Sequence, residues 1–353
     1  MNRRIKLNDG SVYTIRHANP NMPDDEVVGV GETDPEIGIL RIDRLDGTSK
    51  AVVYNFACHP YTGVPSKGVT AEFPGFASSA IEENMGDGCM AFFLQGAAGD
   101  ITEILYKNVN DVRSCEPFGR MLAESTLKGL RTIETAKTNR FSVTSTKIEL
   151  PLRQDISYHI TTLENQEQQL LGSLRSTSLN MKTFIPLYIK YALSPDYSSY
   201  YSYRYLQEEK EGLEGLKAMD VENRRNLDKY IQNMRAMDKL AQIQENKAFL
   251  KTKQSEIDKI NKSTISIEME GIRIGDFVLF TFPGEPFARI GLNIKEESPY
   301  ENTFLAGFSN GYMHYAPTTE SYNEWGYEVM NCILAPEWQA VYEQEIQRII
   351  KTL

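Results

Sequence analysis

Four histidines, His17, His59, His159 and His314, are the side chains best suited to proton transfer or metal binding near neutral pH. None lies in an HExxH zinc motif, and neither a GxSxG nucleophile elbow nor a P-loop occurs. The run Gly29-Val30-Gly31 lacks the third glycine of a dinucleotide fingerprint. His59 stands out by its place. It follows the apolar run Val52–Cys58 and precedes Pro60, and catalytic groups of α/β proteins collect where strands emerge from the sheet. Two other apolar runs have polar ends of the same kind. Gln95-Gly96-Ala97-Ala98-Gly99-Asp100 sets two glycines beside a carboxylate, so its backbone can approach a ligand closely. Phe282-Pro283-Gly284-Glu285 puts a carboxylate on a tight turn. Each has a plainer alternative: His59 as a satisfied structural histidine, Glu285 as a solvated turn acid or as a carboxylate at a helix start. Taken together, the three strand ends define one candidate site that joins an imidazole, a carboxylate and accessible backbone.

The elements that must position these groups follow from apolar periodicity. Glu36–Asp43 and Lys50–Cys58 flank Asp46-Gly47 and predict a hairpin. Phe73–Met85 predicts a helix, and Cys89–Leu94 a short strand buried on both faces. Pro117 opens a helix through Ile133 whose inward side is Phe118, Met121, Leu122 and Leu130. From Ser263 onward β character returns. Ile265–Ile274 and Phe277–Phe282 flank Gly275-Asp276 as a second hairpin, then come a helix, a strand at Thr303–Phe308, a loop rich in Tyr and Thr, and a closing helix at Glu337–Leu353.

Residues 155–262 differ in character. They are rich in Glu, Gln, Lys and Asn, with helical segments around Leu163–Leu174 and along the stripe Leu227, Tyr230, Met234, Met237, Ala241. A tyrosine-rich patch from Tyr188 to Tyr205 separates them. This stretch reads as a helical insertion, either a solvated bundle or a lid. The fold class expected is α/β: a mixed sheet with flanking helices in a single large domain, 1–353, interrupted by the helical insertion 155–262.

The net charge of −10 and pI near 5.1 argue against nucleic acid as the main partner. No apolar stretch is long enough to span a bilayer. The start, Met-Asn-Arg-Arg-Ile-Lys, has basic residues but no apolar run behind them, so the chain as given carries no export signal. Cys58, Cys89, Cys115 and Cys332 are scattered without CxxC pairing and read as buried small hydrophobes.

An ordered series of motifs resembles the neutral/alkaline non-lysosomal ceramidases and their bacterial relatives. Thr33-Asp34-Pro35-Glu36-Ile37-Gly38-Ile39-Leu40 resembles their aspartate-proline stretch, and Asn55-Phe56-Ala57-Cys58-His59-Pro60 the strand end that carries a zinc-binding histidine. Ala71-Glu72-Phe73-Pro74-Gly75 is similar to their Asp-Phe-Pro-Gly turn, and Gln95–Asp100 to their Gln-x-x-Ala-Gly-Asp loop. Phe282-Pro283-Gly284-Glu285 resembles the turn whose glutamate binds zinc. Ser309-Asn310-Gly311-Tyr312, Tyr315, Thr318-Thr319, Tyr322 and Tyr327-Glu328 follow the family's tyrosine-rich spacing. The resemblance implies that His59, Glu285 and Tyr315 bind one zinc ion. It implies that Tyr327 contacts the scissile amide or its oxyanion, helped by Thr102, and that Gln95, Gly99, Asp100 and Arg3 meet the substrate. The implied activity is hydrolysis of an amide in an N-acyl lipid or related N-acyl compound.

The chain departs from the family in three places. The upstream His-x-His-x-Gly-Pro motif with the first zinc ligand has no counterpart, since His17 in Arg16-His17-Ala18-Asn19 does not fit it. Asn2-Arg3-Arg4 resembles the segment just downstream of that motif. The expectation is therefore a shortened start, with an exported or periplasmic protein, or else a cytoplasmic chain that has lost a ligand. Thr102-Glu103 stands where ceramidases have Ser-Pro, and the expectation is of a catalytic domain without the family's immunoglobulin-like C-terminal domain. The alternative function is a non-catalytic homologue that serves as a binding domain.

Overall fold

The structure is a computed structural model that describes residues 1–15, 24–86, 88–103, 113–196 and 202–353. His17 lies outside these. The chain divides into two compact units, Met1–Gln154 with Thr252–Leu353, and Asp155–Lys251.

In the first unit, β1 (Arg4–Leu7) lies between β2 (Val12–Thr14) and β3 (Val27–Val30), antiparallel to both. The Asp-Gly turn joins β4 (Gly38–Asp43) to β5 (Ser49–Phe56) as the expected hairpin. Next come α1 (Glu72–Met85), β6 (Met90–Gln95) and α2 (Glu116–Leu130). β6 pairs parallel to β5, so the sheet β4-β5-β6 is mixed. Tyr54, Phe73, Ile81, Leu122 and Leu130 interlock between this sheet and α1 and α2. Burying each such side chain contributes ~1.5–3 kcal/mol.

Two sequence expectations fail here. β6 is an edge strand, covered by helices on one face only, so Met90 and Phe92 are exposed rather than buried on both faces. Met121 also faces solvent. The inward stripe of α2 runs through Gly119, Leu122, Ala123 and Thr126, and Gly119 has no side chain to hold the helix off the Phe73 carbonyl.

β7 (Phe141–Pro151) leads out of this half. The helical unit holds α3 (Ile156–Ser173), α4 (Met181–Leu193), α5 (Ser202–Glu211) and most of α6 (Gly215–Ile260). Asn180 starts α4 with a capping box that Thr183 reciprocates. Inside the unit, Phe184 stacks on Tyr230 at 4.5 Å, and the Tyr191 and Tyr205 hydroxyls donate to Asp220 at 2.6 and 2.7 Å. The buried apolar positions of α6 are Leu227, Ala236, Leu240, Ile243, Leu250 and Ile257. Met234, Met237 and Ala241 of the expected stripe are exposed. A short apolar stripe in a helix of 46 residues fits more than one phase, and the neighbouring helices select another.

Back in the first unit, β8 (Thr264–Ile274) and β9 (Phe277–Thr281) form the second hairpin. Then follow β10 (Glu285–Pro286), α7 (Ala288–Glu297), β11 (Asn302–Ala306), β12 (Tyr315–Ala316), α8 (Ser321–Glu324), α9 (Tyr327–Met330) and α10 (Trp338–Ile350). The sheet β11-β9-β8-β7 is mixed, with β11 parallel to β9, and α10 seals it through Trp338 and Tyr342 on Phe282. The fold is α/β, with mixed sheets and flanking helices.

Candidate active site

The three strand ends named from sequence meet. β5 ends at Phe56, β6 at Gln95 and β9 at Thr281, and the loops that follow touch one another: Gly96 N–H donates to the Phe56 carbonyl at 2.8 Å, and the His59 ring meets the Glu285 carboxylate. Gly99 donates its N–H to the Pro286 carbonyl at 2.9 Å, and a Cβ at Gly99 would overlap the Glu285 carbonyl oxygen. The glycine is there because two backbones touch.

His59 is buried, with both ring nitrogens engaged. Nδ1 lies 2.8 Å from the Ile101 carbonyl oxygen, and Nε2 lies 2.6 Å from Glu285 Oε2. A carbonyl only accepts, so Nδ1 carries a proton. Nε2 then faces a carboxylate, which also only accepts. At 2.6 Å the pair is a hydrogen bond, with a proton between Nε2 and Oε2. Glu285 itself is only 5% exposed. It is therefore no solvated turn acid, and it does not start a helix, because α7 begins at Ala288. Asp100 performs that capping role, its Oδ1 accepting from the Ala288 N–H at 2.8 Å.

Glu285 and Tyr315 are register partners in the short parallel ladder β10–β12. This sets the Tyr315 ring 6.3 Å from that of His59. Burial pushes the Tyr315 phenol well above its ordinary pKa, against the pull of Arg3 and with Glu285 adding to the rise. Tyr327 stands edge-on to Tyr315 at 5.6 Å. Arg3 reaches in from β1's start, its guanidinium 5.4 Å from the Tyr315 ring centre and 5.9 Å from that of Tyr327. It donates to Glu328 Oε1 and to the Gly99 carbonyl, both at 2.8 Å. Burial is the largest single influence on Arg3 and opposes its charge, but Glu328, Tyr315 and Tyr61 together outweigh it, and the guanidinium stays protonated.

The other expected residues are placed differently. Thr102 is fully buried, its hydroxyl accepting from Tyr61. Asp100 has both oxygens occupied by its own fold, Oδ2 accepting from Asn2 at 2.6 Å. The Gln95 amide turns to the Phe56 and Gly96 carbonyls. Four contributors went unassigned in the sequence: the Ile101 carbonyl, Tyr61, Tyr312 and Glu328. Tyr312 donates to Glu285 Oε1 at 2.5 Å, and burial followed by that hydrogen bond pushes its phenol up. Glu328 anchors Arg3 and Arg4 beneath the tyrosines. Gly326, at φ 109°, starts α9, and a Cβ there would sit 2.7 Å from the Arg4 guanidinium.

No protein-family model matches the chain, and no curated protein matches it. Its structure is similar to the crystal structure of neutral ceramidase from Pseudomonas aeruginosa, with a TM-score of 0.50 and 14% identity over 91% of this chain and 47% of that one. The likeness is one of fold. A second solved structure, a ceramidase complexed with C2, matches at a TM-score of 0.48 and 13% identity, over 94% of this chain and 49% of that one. The chain thus spans about half the length of each, 47% and 49%.

The side chains that meet here, an imidazole, a carboxylate and a phenol, are of types that zinc accepts. Zinc takes imidazole nitrogen and carboxylate or phenolate oxygen, and a ligating histidine characteristically gives its other N–H to a carbonyl, as His59 does to Ile101. Tyr312 orients the remaining carboxylate oxygen. Among the described residues, no group of three or more His, Cys, Asp or Glu side chains could hold a metal ion.

Proposed function

We propose that this chain is a ceramidase-like, zinc-dependent hydrolase that cleaves the amide of an N-acyl lipid or a related N-acyl compound. The observation that carries this reading is the His59–Glu285 contact, in which Nε2 and Oε2 face each other at 2.6 Å while Nδ1 is already committed to a carbonyl. His59, Glu285 and Tyr315 are the residues that would hold zinc. The ion, when bound, supplies Lewis acidity toward an amide carbonyl and a water acidified to near neutral pKa.

The chain's own groups have separable roles. Ile101 fixes the His59 tautomer, and Tyr312 fixes the Glu285 rotamer. Tyr327 offers a phenolic O–H to the oxygen on which negative charge develops, a donation that needs no ionisation. Arg3, held by Glu328 against both tyrosine rings, adds positive potential on the same side. The fold likeness to the Pseudomonas aeruginosa neutral ceramidase supports the choice of substrate class.

A second reading is a binding domain without catalysis. It is favoured by the small donor set and by Thr102, whose hydroxyl is buried rather than presented. One experiment separates the two. Purified chain is stripped with chelator, reloaded with zinc, and assayed on N-acyl sphingosines and simple N-acyl amides of graded chain length. Zinc-restored hydrolysis that Glu285→Gln abolishes is the expected result. Stoichiometric zinc without turnover favours the binding domain, and no zinc uptake rejects the metal reading.

A further inference from the structure

The helical unit carries a surface that the amide chemistry leaves unexplained. On α4, Phe184, Leu187 and Tyr191 face inward, Phe184 against Tyr230 and Tyr191 bonded to Asp220. The opposite side is apolar and open to solvent: Met181 is 57% exposed, Ile185 46%, Tyr188 50%, Ile189 49% and Leu193 81%. At about 100° per residue these five fall within an arc of roughly 140°. A globular helix normally gives such an arc to a core, so the face points to a partner.

Charge identifies that partner. The chain as a whole carries −10. Yet residues 168–195, which contain α4, include Arg175, Lys182 and Lys190 and no Asp or Glu. Lys182 stands on the exposed face, and Lys190 lies beside it, its ammonium 5.9 Å from the Tyr191 ring centre. In a two-fold dimer closed through this face Lys182 and Lys190 would meet their own copies, like charge against like, whereas an anionic surface complements them. Its composition suits the membrane boundary: Met, Ile and Leu enter the acyl region, tyrosine sits at the headgroup level, and lysine stems extend outward to phosphates. At 13 residues α4 is about 20 Å long, too short to span a bilayer but long enough to lie along its surface. No helix among the described residues is long and apolar enough to cross a membrane.

We propose that the α4 face formed by Met181, Ile185, Tyr188, Ile189 and Leu193 docks on an anionic lipid bilayer, lying in its interface. The inference stands apart from the zinc reading, because its readout is binding and needs no hydrolysis.

The test is flotation of the full chain with vesicles of phosphatidylcholine alone and of phosphatidylcholine mixed with phosphatidylglycerol. The expected result is co-flotation with the anionic vesicles, weakening as salt rises. Ile185→Asp with Ile189→Asp lowers the bound fraction by about tenfold or more, since both apolar contacts are lost. Lys182→Glu with Lys190→Glu removes the preference for anionic vesicles. Leu213→Asp, at an exposed apolar residue outside α4, leaves binding unchanged. Circular dichroism confirms that each variant is folded. The proposal is overturned if wild-type chain stays unbound, or if the Ile185→Asp/Ile189→Asp variant floats like wild type. It is equally overturned if the chain is a dimer that this variant dissociates, because a second copy would then cover the face.

Discussion

Replacing Glu328 by glutamine removes the charge on which the floor of the site rests. Its carboxylate is completely buried and accepts from Arg3 Nε at 2.8 Å, Arg4 Nη1 at 3.0 Å and the Thr14 hydroxyl at 3.0 Å. Glutamine keeps the shape but leaves two guanidinium groups without their buried counter-charge and turns an NH2 toward one of them. Breaking a buried pair from one side costs about 3–5 kcal/mol, a large share of the ~5–15 kcal/mol that stabilises a typical domain.

The pH dependence follows from the sign of the shift. Burial, the largest single influence, would raise the Glu328 pKa, but the charges of Arg3 and Arg4 together with the hydrogen bonds to the carboxylate outweigh it and hold it below the ordinary value of 4.5. A carboxylate whose folded pKa is depressed stabilises the fold fully above its unfolded pKa, and that contribution is lost as pH falls through the folded value. The gap between wild type and Glu328→Gln is therefore widest near neutrality and narrows once pH drops below about 4. Urea unfolding followed by near-ultraviolet circular dichroism, over a pH series, measures both. A variant within about 0.5 kcal/mol of wild type at neutral pH, the scale of an ordinary surface change, refutes the reasoning. So does a gap that stays constant as the pH falls.

Further tests follow from single contacts. His59→Ala and Glu285→Gln should each lower zinc content, measured by elemental analysis, from one equivalent to a small fraction. Tyr312→Phe removes one hydrogen bond to the Glu285 carboxylate, a charged bond worth about 1.5–3 kcal/mol. It should slow hydrolysis by at least about tenfold while the unfolding midpoint moves little. Gly99→Ala drives a methyl into the Glu285 carbonyl and should destabilise by about 1–3 kcal/mol, read as a lower melting temperature together with weaker zinc retention.

Much of the site was legible in the sequence because strand ends announce themselves. An apolar run that stops at His59, or at Gln95 before two glycines, or at Pro283-Gly284-Glu285, can be recognised without coordinates, and all three do converge. The sequence alone also determined the α/β class, both hairpins, the helix after Pro117 and the burial of all four cysteines. These depend on periodicity and turn chemistry between near neighbours.

Tertiary structure decided whatever depends on residues far apart in the chain. That the Asp100 carboxylate caps α7 and that the Thr102 hydroxyl is buried under Tyr61 follow from contacts to residues 288 and 61. Which face of β6 is covered, and which phase of α6 packs inward, depends on neighbours that a local pattern does not name. The role of Glu328 is invisible locally, because its partners Arg3 and Arg4 lie more than 300 residues away. The His59–Glu285 contact is likewise set by where two loops meet across 226 residues. Local chemistry named the groups; long-range packing chose which atoms face one another.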